Sequence, residues 1–596
     1  MARGDSSPAP VTLPQPVPQR LPLRRQGSGR VRSGSGWPAG LAVATALALA
    51  GCSTGPAPIS AGGPAGEPGK GGTVRVLSST AFSHLDPAQG FDAGVNNFYR
   101  LVYRTLTTQR AAPGKAGTEV VPDLATDTGR PSDGGRTWTF TLRKGPRFQN
   151  GKAITSADVK FGISRAWDPE IGIGSPYAKQ LIAAPKGYRG PYRSKGSSPR
   201  IDTPDSRTVV FHLKQSYADF GSAVAQPVFT PFPRGTGARS EFDKQPIASG
   251  PYQVAAYEAG ARIKLVRNKF WSEATDEVRT ARPDGFEWTF GLDPATIDER
   301  MLSARGEDVN AIADAIQPAT ISRIQDKETR RRTLSGLMGC TTYMSLNTKK
   351  GKLGDVRVRR ALNYAVNKQS IVNAFGGATK ADPATSIQPP TISGRKGTDL
   401  YATDGQRGDL DKARKLLKSA GVSKGFSLTL DTREAPVMRA TAEALQQSLA
   451  PLGIKVKVNI IDTATFYEVI ASPAQQHDAA VTGWCPDWAA GITFLPPLFD
   501  GRNIVSKGNQ NLAQLNDPGI NAAIDRASAL KDVDEQNDAF GALDAKIMRD
   551  APIVPLVYEK SVNLVGGNIA GAYKHPVLAG GIDFVSVGLA DPDRRA

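Results

Sequence analysis

The stretch from Phe426 to Ile460 constrains the fold more than any other part of this 596-residue chain. Phe426-Ser427-Leu428-Thr429-Leu430 alternates as a strand does, Pro436 to Leu449 reads as a helix, and Ile454, Val456, Val458 and Ile460 alternate with Lys455, Lys457 and Asn459. Two strands joined through a helix form a βαβ unit, and such a connection makes the strands parallel. The expected class is therefore α/β, built from mixed lobes, and not a sandwich or a helix bundle. Other segments agree. Thr73 to Leu77, Thr137 to Leu142 and Thr208 to Leu213 alternate like strands. Thr155 is placed to cap a helix with Asp158 at its third position, and Asp355 caps one whose apolar face is Val358, Leu362, Ala365 and Val366. The arginines between these last residues are expected to face water.

The N-terminus has three compositional zones. Residues 1–36 are rich in Pro, Gly, Ser and Arg, Trp37 to Ala50 is almost wholly apolar or small, and Cys52 closes the run Leu49-Ala50-Gly51-Cys52. That order is the order of an export signal. The apolar run is shorter than the roughly 20 residues a membrane-spanning helix needs. Leu-Ala-Gly-Cys resembles the lipobox of bacterial lipoproteins, whose cysteine receives a diacylglycerol; a plain secretory signal is the alternative. Residues 53–72, dominated by Gly, Pro, Ala and Ser, are expected to form a flexible stalk.

The net charge of +18 raises nucleic-acid binding as a possibility. No basic patch interleaved with aromatics is visible, and an exported protein rarely meets nucleic acid, so none is expected as a partner. Catalysis is poorly supported. The four histidines (His84, His212, His477, His575) lie too far apart for a zinc-binding helix, no Gly-x-Ser-x-Gly elbow exists, and Cys340 and Cys485 lack metal-ligand spacing. The chain is expected not to be an enzyme and to need no cofactor or metal.

Binding is better supported. Thr137-Trp138-Thr139-Phe140-Thr141-Leu142-Arg143-Lys144-Gly145, with Phe148, Asn150-Gly151, Thr155, Ala157-Asp158-Val159 and Phe161 after it, resembles the signature of the family 5 solute-binding proteins. These are the peptide- or oligopeptide-binding lipoproteins of ABC importers. Leu85-Asp86-Pro87-Ala88, Ser249-Gly250-Pro251-Tyr252, Leu265 to Asn268, Leu346-Asn347-Thr348, Asp355 to Leu362 and Ala551 to Leu556 resemble further family segments, in the family's order. The resemblance implies a two-lobed periplasmic-binding-protein type II clamshell with an extra domain inserted in the first lobe. The expected division is an export signal at 1–51, a lipid-anchored linker at 52–71, lobe I from 72–118, 205–339 and 559–596, an inserted subdomain at 119–204, and lobe II at 340–558. It further implies a monomer on the extracytoplasmic face of the cell membrane, held by a lipid on Cys52, which delivers peptides to the permease subunits of an ABC importer. Other solutes that fold is known to take, such as an oligosaccharide, a nickel complex or haem, are the alternative, and a secreted hydrolase is more remote.

The ligand segment is Gly483-Trp484-Cys485-Pro486-Asp487-Trp488. Ala479 to Trp484 reads as a strand, and Pro486 holds Cys485 extended, so the segment can pair with an extended peptide through main-chain hydrogen bonds. By resemblance, Asp487 takes the peptide's α-ammonium and Trp484 forms an aromatic wall, with Cys485 and Trp488 beside them. A loop carboxylate and a core tryptophan are the alternatives. The resemblance also implies a disulfide between Cys340 and Cys485, against the alternative of two buried thiols.

Overall fold

The computed structural model describes residues 66–594 apart from 91–93, 172–173, 195, 235–240 and 464. The export signal and Cys52 lie outside the described residues. Three sheets organise the rest. The first has the strand order Ala311–Ala313, Thr73–Leu77, Gly285–Thr289, Arg262–Arg267, Tyr252–Glu258, with Thr73–Leu77 parallel to both its neighbours. Its alternating residues Val74 and Val76 enter a core with Phe98, Phe286 and Trp288. The second sheet has the order Ala381–Pro383, Ile553–Leu564, Thr333–Leu346, Ala479–Trp484, Ser427–Arg433, Lys455–Ile461. Its last two strands run parallel in register from Ser427↔Lys455 to Arg433↔Ile461, joined through the helix Pro436–Leu449. This is the expected βαβ unit. Leu428, Leu430, Leu445, Leu449 and Val456 pack together beneath it.

Two long strands join the lobes. Thr333–Leu346 and Ile553–Leu564 pair antiparallel from Thr333↔Leu564 to Leu337↔Lys560, lose register, and resume at Thr341↔Tyr558. Leu334 belongs to the first lobe's core, while Met344, Leu346, Val554 and Leu556 belong to the second's. Gly339 stands in the irregular stretch at φ 77°, a left-handed conformation that only glycine adopts without strain, and an added Cβ would lie 3.3 Å from the Pro576 carbonyl oxygen. Sequence and geometry thus put the break in the ladder where the chain passes from one lobe to the other. The molecule is a two-lobed α/β clamshell of the type II binding-protein kind.

The third sheet, Arg130–Ser132, Thr137–Thr141, Thr208–His212, Ile201–Asp202, forms the inserted subdomain. Thr208–His212 lies between Thr137–Thr141 and Ile201–Asp202, and the subdomain core continues to Phe229. This sheet and its core include residues on both sides of position 204. Two local expectations need correction. Residues at the end of the presumed stalk are pinned to lobe I: the Gly69 N–H donates to the Leu589 carbonyl (2.8 Å) and that of Gly71 to Arg282 (2.9 Å). Arg359 does not face water. It is buried, and its guanidinium donates to the Asp550 carbonyl (2.7 and 3.0 Å) and to that of Leu353 (2.8 Å), tying these chain segments together. The capping of Val356–Ala365 by Asp355 and the Thr155/Asp158 box at Ser156–Ser164 are as expected.

A buried ionic cluster fastens lobe I to the segment around Asp123, at the start of the insertion. Arg104 meets Asp123 (2.7 Å), and Arg279 meets both Asp123 (2.8 Å) and Asp276 (3.1 Å). Burial alone would raise the Asp276 carboxyl, but Arg279 and Arg104 hold it well below the usual carboxylate range. Arg279 also donates to the Arg100 carbonyl (2.6 Å), tying the helix Asn96–Val102 to the loop after residue 275.

Candidate functional site

The strand Ala479–Trp484 carries the candidate ligand segment into the space between lobes. On one side it pairs with Thr333–Leu346 as far as Thr341↔Trp484. On the other, pairing with Ser427–Arg433 stops at Asp431↔Ala480. From Val481 onward one strand edge is thus left without a neighbouring strand among the described residues. Thr482, Gly483, Trp484 and Cys485 border a cavity of about 590 Å³, within the ~300–1,000 Å³ usual for small-ligand clefts. Tyr343, Tyr467 and Gln510 line it from lobe II, and Tyr177 and Gln180 from the inserted subdomain, so it is an interlobe cleft.

Asp487 is half-buried at its edge and, among the described residues, supplies the only formal charge on the lining. Its Oδ2 accepts a hydrogen bond from the Tyr177 hydroxyl, at the start of the subdomain helix Tyr177–Leu181. Burial pushes the Asp487 carboxyl up and the Tyr177 bond partly offsets this. No protein donor among the described residues reaches Oδ1, which leaves that oxygen for a ligand. The main chain is gripped as well, since Gln226 Nε2 donates to the Asp487 carbonyl (2.9 Å).

Trp484 borders the cleft, half-buried, with its Nε1 donating to the Thr493 carbonyl (2.8 Å). Trp488 lies elsewhere. It is 3% exposed, sits in the subdomain core, and borders a separate crevice of about 550 Å³. Its Nε1 donates to Asp219 Oδ2 (2.5 Å), and its ring lies 4.8 Å from that of Tyr177. Burial raises the Asp219 carboxyl to about 6 despite donors from Ser222 and Trp488. Cys485 is joined to Cys340 by a disulfide, with the two Cα atoms 4.2 Å apart. Among the described residues no group of three or more His, Cys, Asp or Glu could hold a metal ion, and no helix is long and apolar enough to cross a membrane.

Tyr177, Gln226 and Asp219 escaped the sequence reading. Each lies more than 250 residues from its partner at 487 or 488, and none stands in a periodic pattern or a motif with local chemistry.

Residues 119–506 match the family described as bacterial extracellular solute-binding proteins, family 5 (middle). The glutathione-binding protein GsiB of Salmonella choleraesuis (strain SC-B67) is 26% identical over 472 residues, covering 75% of this chain and 82% of that protein. The structure named clavulanic acid biosynthesis oligopeptide binding protein 2 is 34% identical, with a TM-score of 0.83 over 90% of this chain and all of that one. The murein tripeptide binding protein MppA, in its unliganded open form, shares the fold with a TM-score of 0.72 at 20% identity, over 88% of this chain and 98% of its own. With the family match spanning more than half its length, the chain belongs to the bacterial extracellular solute-binding proteins of family 5.

Proposed function

We propose that the protein captures a peptide with a free N-terminus in its interlobe cleft and delivers it to the permease of an ABC importer, while a lipid on Cys52 keeps it at the membrane. The observation that carries the peptide reading is the lone carboxylate of Asp487 at the end of an unpaired strand edge. The edge offers main-chain hydrogen bonds to an extended ligand regardless of its sequence, and Oδ1 of Asp487 takes the α-ammonium. Tyr177, from the opposite side of the cleft, holds the other carboxylate oxygen. Ligand contacts to both sides favour the closed form over the open one. Oligopeptide binding by the 34% identical relative supports this reading. Glutathione fits less well, because it carries more carboxylates than amines and the described residues of the cleft lining include no cation. A sugar site built on Trp484 and Trp488 is not favoured, since Trp488 is buried in the subdomain core and does not line the cleft.

Calorimetric titration with a short peptide and its N-acetylated form tests the anchor. Blocking the amine, or replacing Asp487 with Asn, is expected to weaken binding about a hundredfold, as loss of one member of a desolvated charge pair does. Unchanged affinity in the Asp487→Asn protein would remove Asp487 from the site.

Acid should act on the same group. The bound ammonium requires the carboxylate, so protons compete with the ligand. Affinity is expected to be flat at neutral pH and to fall by about tenfold per pH unit once Asp487 protonates, which happens above the ordinary aspartate range because burial raises this carboxyl. Asp487→Asn should flatten the profile; a slope that persists in the variant belongs to another group.

A further inference from the structure

The first part of lobe II is rich in cations. Residues 349–461 hold twenty Lys and Arg against nine Asp and Glu. The sheet topology brings several of these cations to a single pole. Thr333–Leu346 runs outward from lobe I, so its end at Leu346, paired with Ala479, marks the end of lobe II farthest from the crossing strands. Ser427–Arg433 and Lys455–Ile461 both begin at that end, three residues before the Leu430↔Ala479 pair. The loop after Leu346 supplies Lys350 and Lys352, the helix Leu410–Ser419 ends with Lys418, and Lys424 and Lys455 stand at the two strand starts; all five are exposed. Arg357 Nη1 donates to the Ser419 carbonyl (2.6 Å), joining the loop side to the end of that helix. An added Cβ on Gly425 would lie 2.1 Å from the Gly453 carbonyl oxygen, which places Lys424 beside the start of the Lys455 strand.

Arg357 is neutralised by Asp355 (2.6 Å), whereas none of the five lysines has a carboxylate within salt-bridge distance among the described residues. Phe426, two residues after Lys424, is half-buried against the core of lobe II, and the pole is formed by loop and element ends. Protein interfaces deplete lysine at their centres and favour Arg and aromatics. Lysine is a hydrated point charge that interacts at long range without a fixed geometry. A lysine-rich pole on an extracellular protein therefore fits a diffuse anionic surface better than a shaped partner.

We propose that this pole of lobe II rests on anionic phospholipid headgroups of the membrane, fixing how the lobes are oriented above it. Each lysine near such a surface contributes about 1 kcal/mol, screened by salt. The contact is independent of the solute and of the lipid on Cys52.

Vesicle co-sedimentation of the full chain carrying Cys52→Ser tests it, with phosphatidylcholine vesicles with and without phosphatidylglycerol, at low and high salt. Reversing Lys350, Lys352, Lys418, Lys424 and Lys455 to Glu is expected to weaken the phosphatidylglycerol-dependent binding at least about tenfold. Reversing Lys115, Lys144, Lys186, Lys244 and Lys269 serves as the matched control for net charge and for the basic leader, and should have a clearly smaller effect. Equal losses in the two variants would overturn the proposal. So would unchanged vesicle binding in the first variant, or a pole that binds soluble polyphosphate in a lysine-dependent way but not vesicles. Peptide titration of both variants should give wild-type affinity, which keeps this result separate from the reading of the cleft.

Discussion

Replacing Arg279 with alanine is expected to destabilise the protein by about 3–5 kcal/mol, the usual cost of leaving a buried charge unpaired. Arg279 is the shared partner of Asp123 and Asp276, and its loss leaves Arg104 alone against both carboxylates, at 2.7 Å from Asp123 and 3.6 Å from Asp276. Lysine should rescue little. One ammonium cannot reproduce a fork that reaches two aspartates and the Arg100 carbonyl together. The pH dependence has a fixed sign. Asp276 is held low in the folded state, so its contribution is present above the unfolded aspartate value of ~3.9 and is lost as pH falls toward the folded one. The gap between wild type and variant should therefore be full at neutral pH and narrow in acid. Urea unfolding at two pH values measures both; a difference below about 1 kcal/mol at neutral pH would mean the cluster does not fasten lobe I to the segment around Asp123.

The cluster also shows where sequence reasoning ends. The unit from Ser427 to Ile461 was legible because its signals are local: alternation in two strands, a 3.6-residue period between them, and no partner needed from elsewhere. The caps at Thr155 and Asp355 were legible for the same reason. The strand Thr333–Leu346 is not among the strands read from the sequence. It is buried on both faces from Gly339 to Leu346, which erases alternation, and its register breaks in the middle. Arg359 was misread because its charge predicted water, while the structure supplies three backbone carbonyls to a buried guanidinium. In the cleft, Trp484 and Asp487 could be singled out by a motif. Tyr177 and Gln226, which hold Asp487, could not, because they reach it only through the docking of the subdomain against lobe II, and no local pattern encodes such a contact.

Removing the disulfide by changing both Cys340 and Cys485 to alanine is expected to lower stability by up to about 5 kcal/mol, with a smaller loss of peptide affinity, about tenfold. The first figure follows from releasing a closed loop whose ends are 145 positions apart, which restores chain entropy to the unfolded state. The second follows from where the bond lies. The strand before it is already fixed by the Thr341↔Trp484 pair, so Trp484 should keep its place without the bond. Cys485 is the first residue past that pair, and the disulfide is what ties the segment leading to Asp487 back to its own lobe. Once it is cut, Asp487 is held chiefly from the other side, by Tyr177 and Gln226. The anchor would then move with the subdomain when the cleft opens, and ligand contacts would no longer report closure as strongly. Denaturant unfolding and peptide titration of the double variant, alongside wild type with and without reductant, separate the two effects. Stability within about 1 kcal/mol of wild type would rule out the first, and an affinity loss as large as that of Asp487→Asn would mean that the bond, more than the strand pairing, shapes the wall of the cleft.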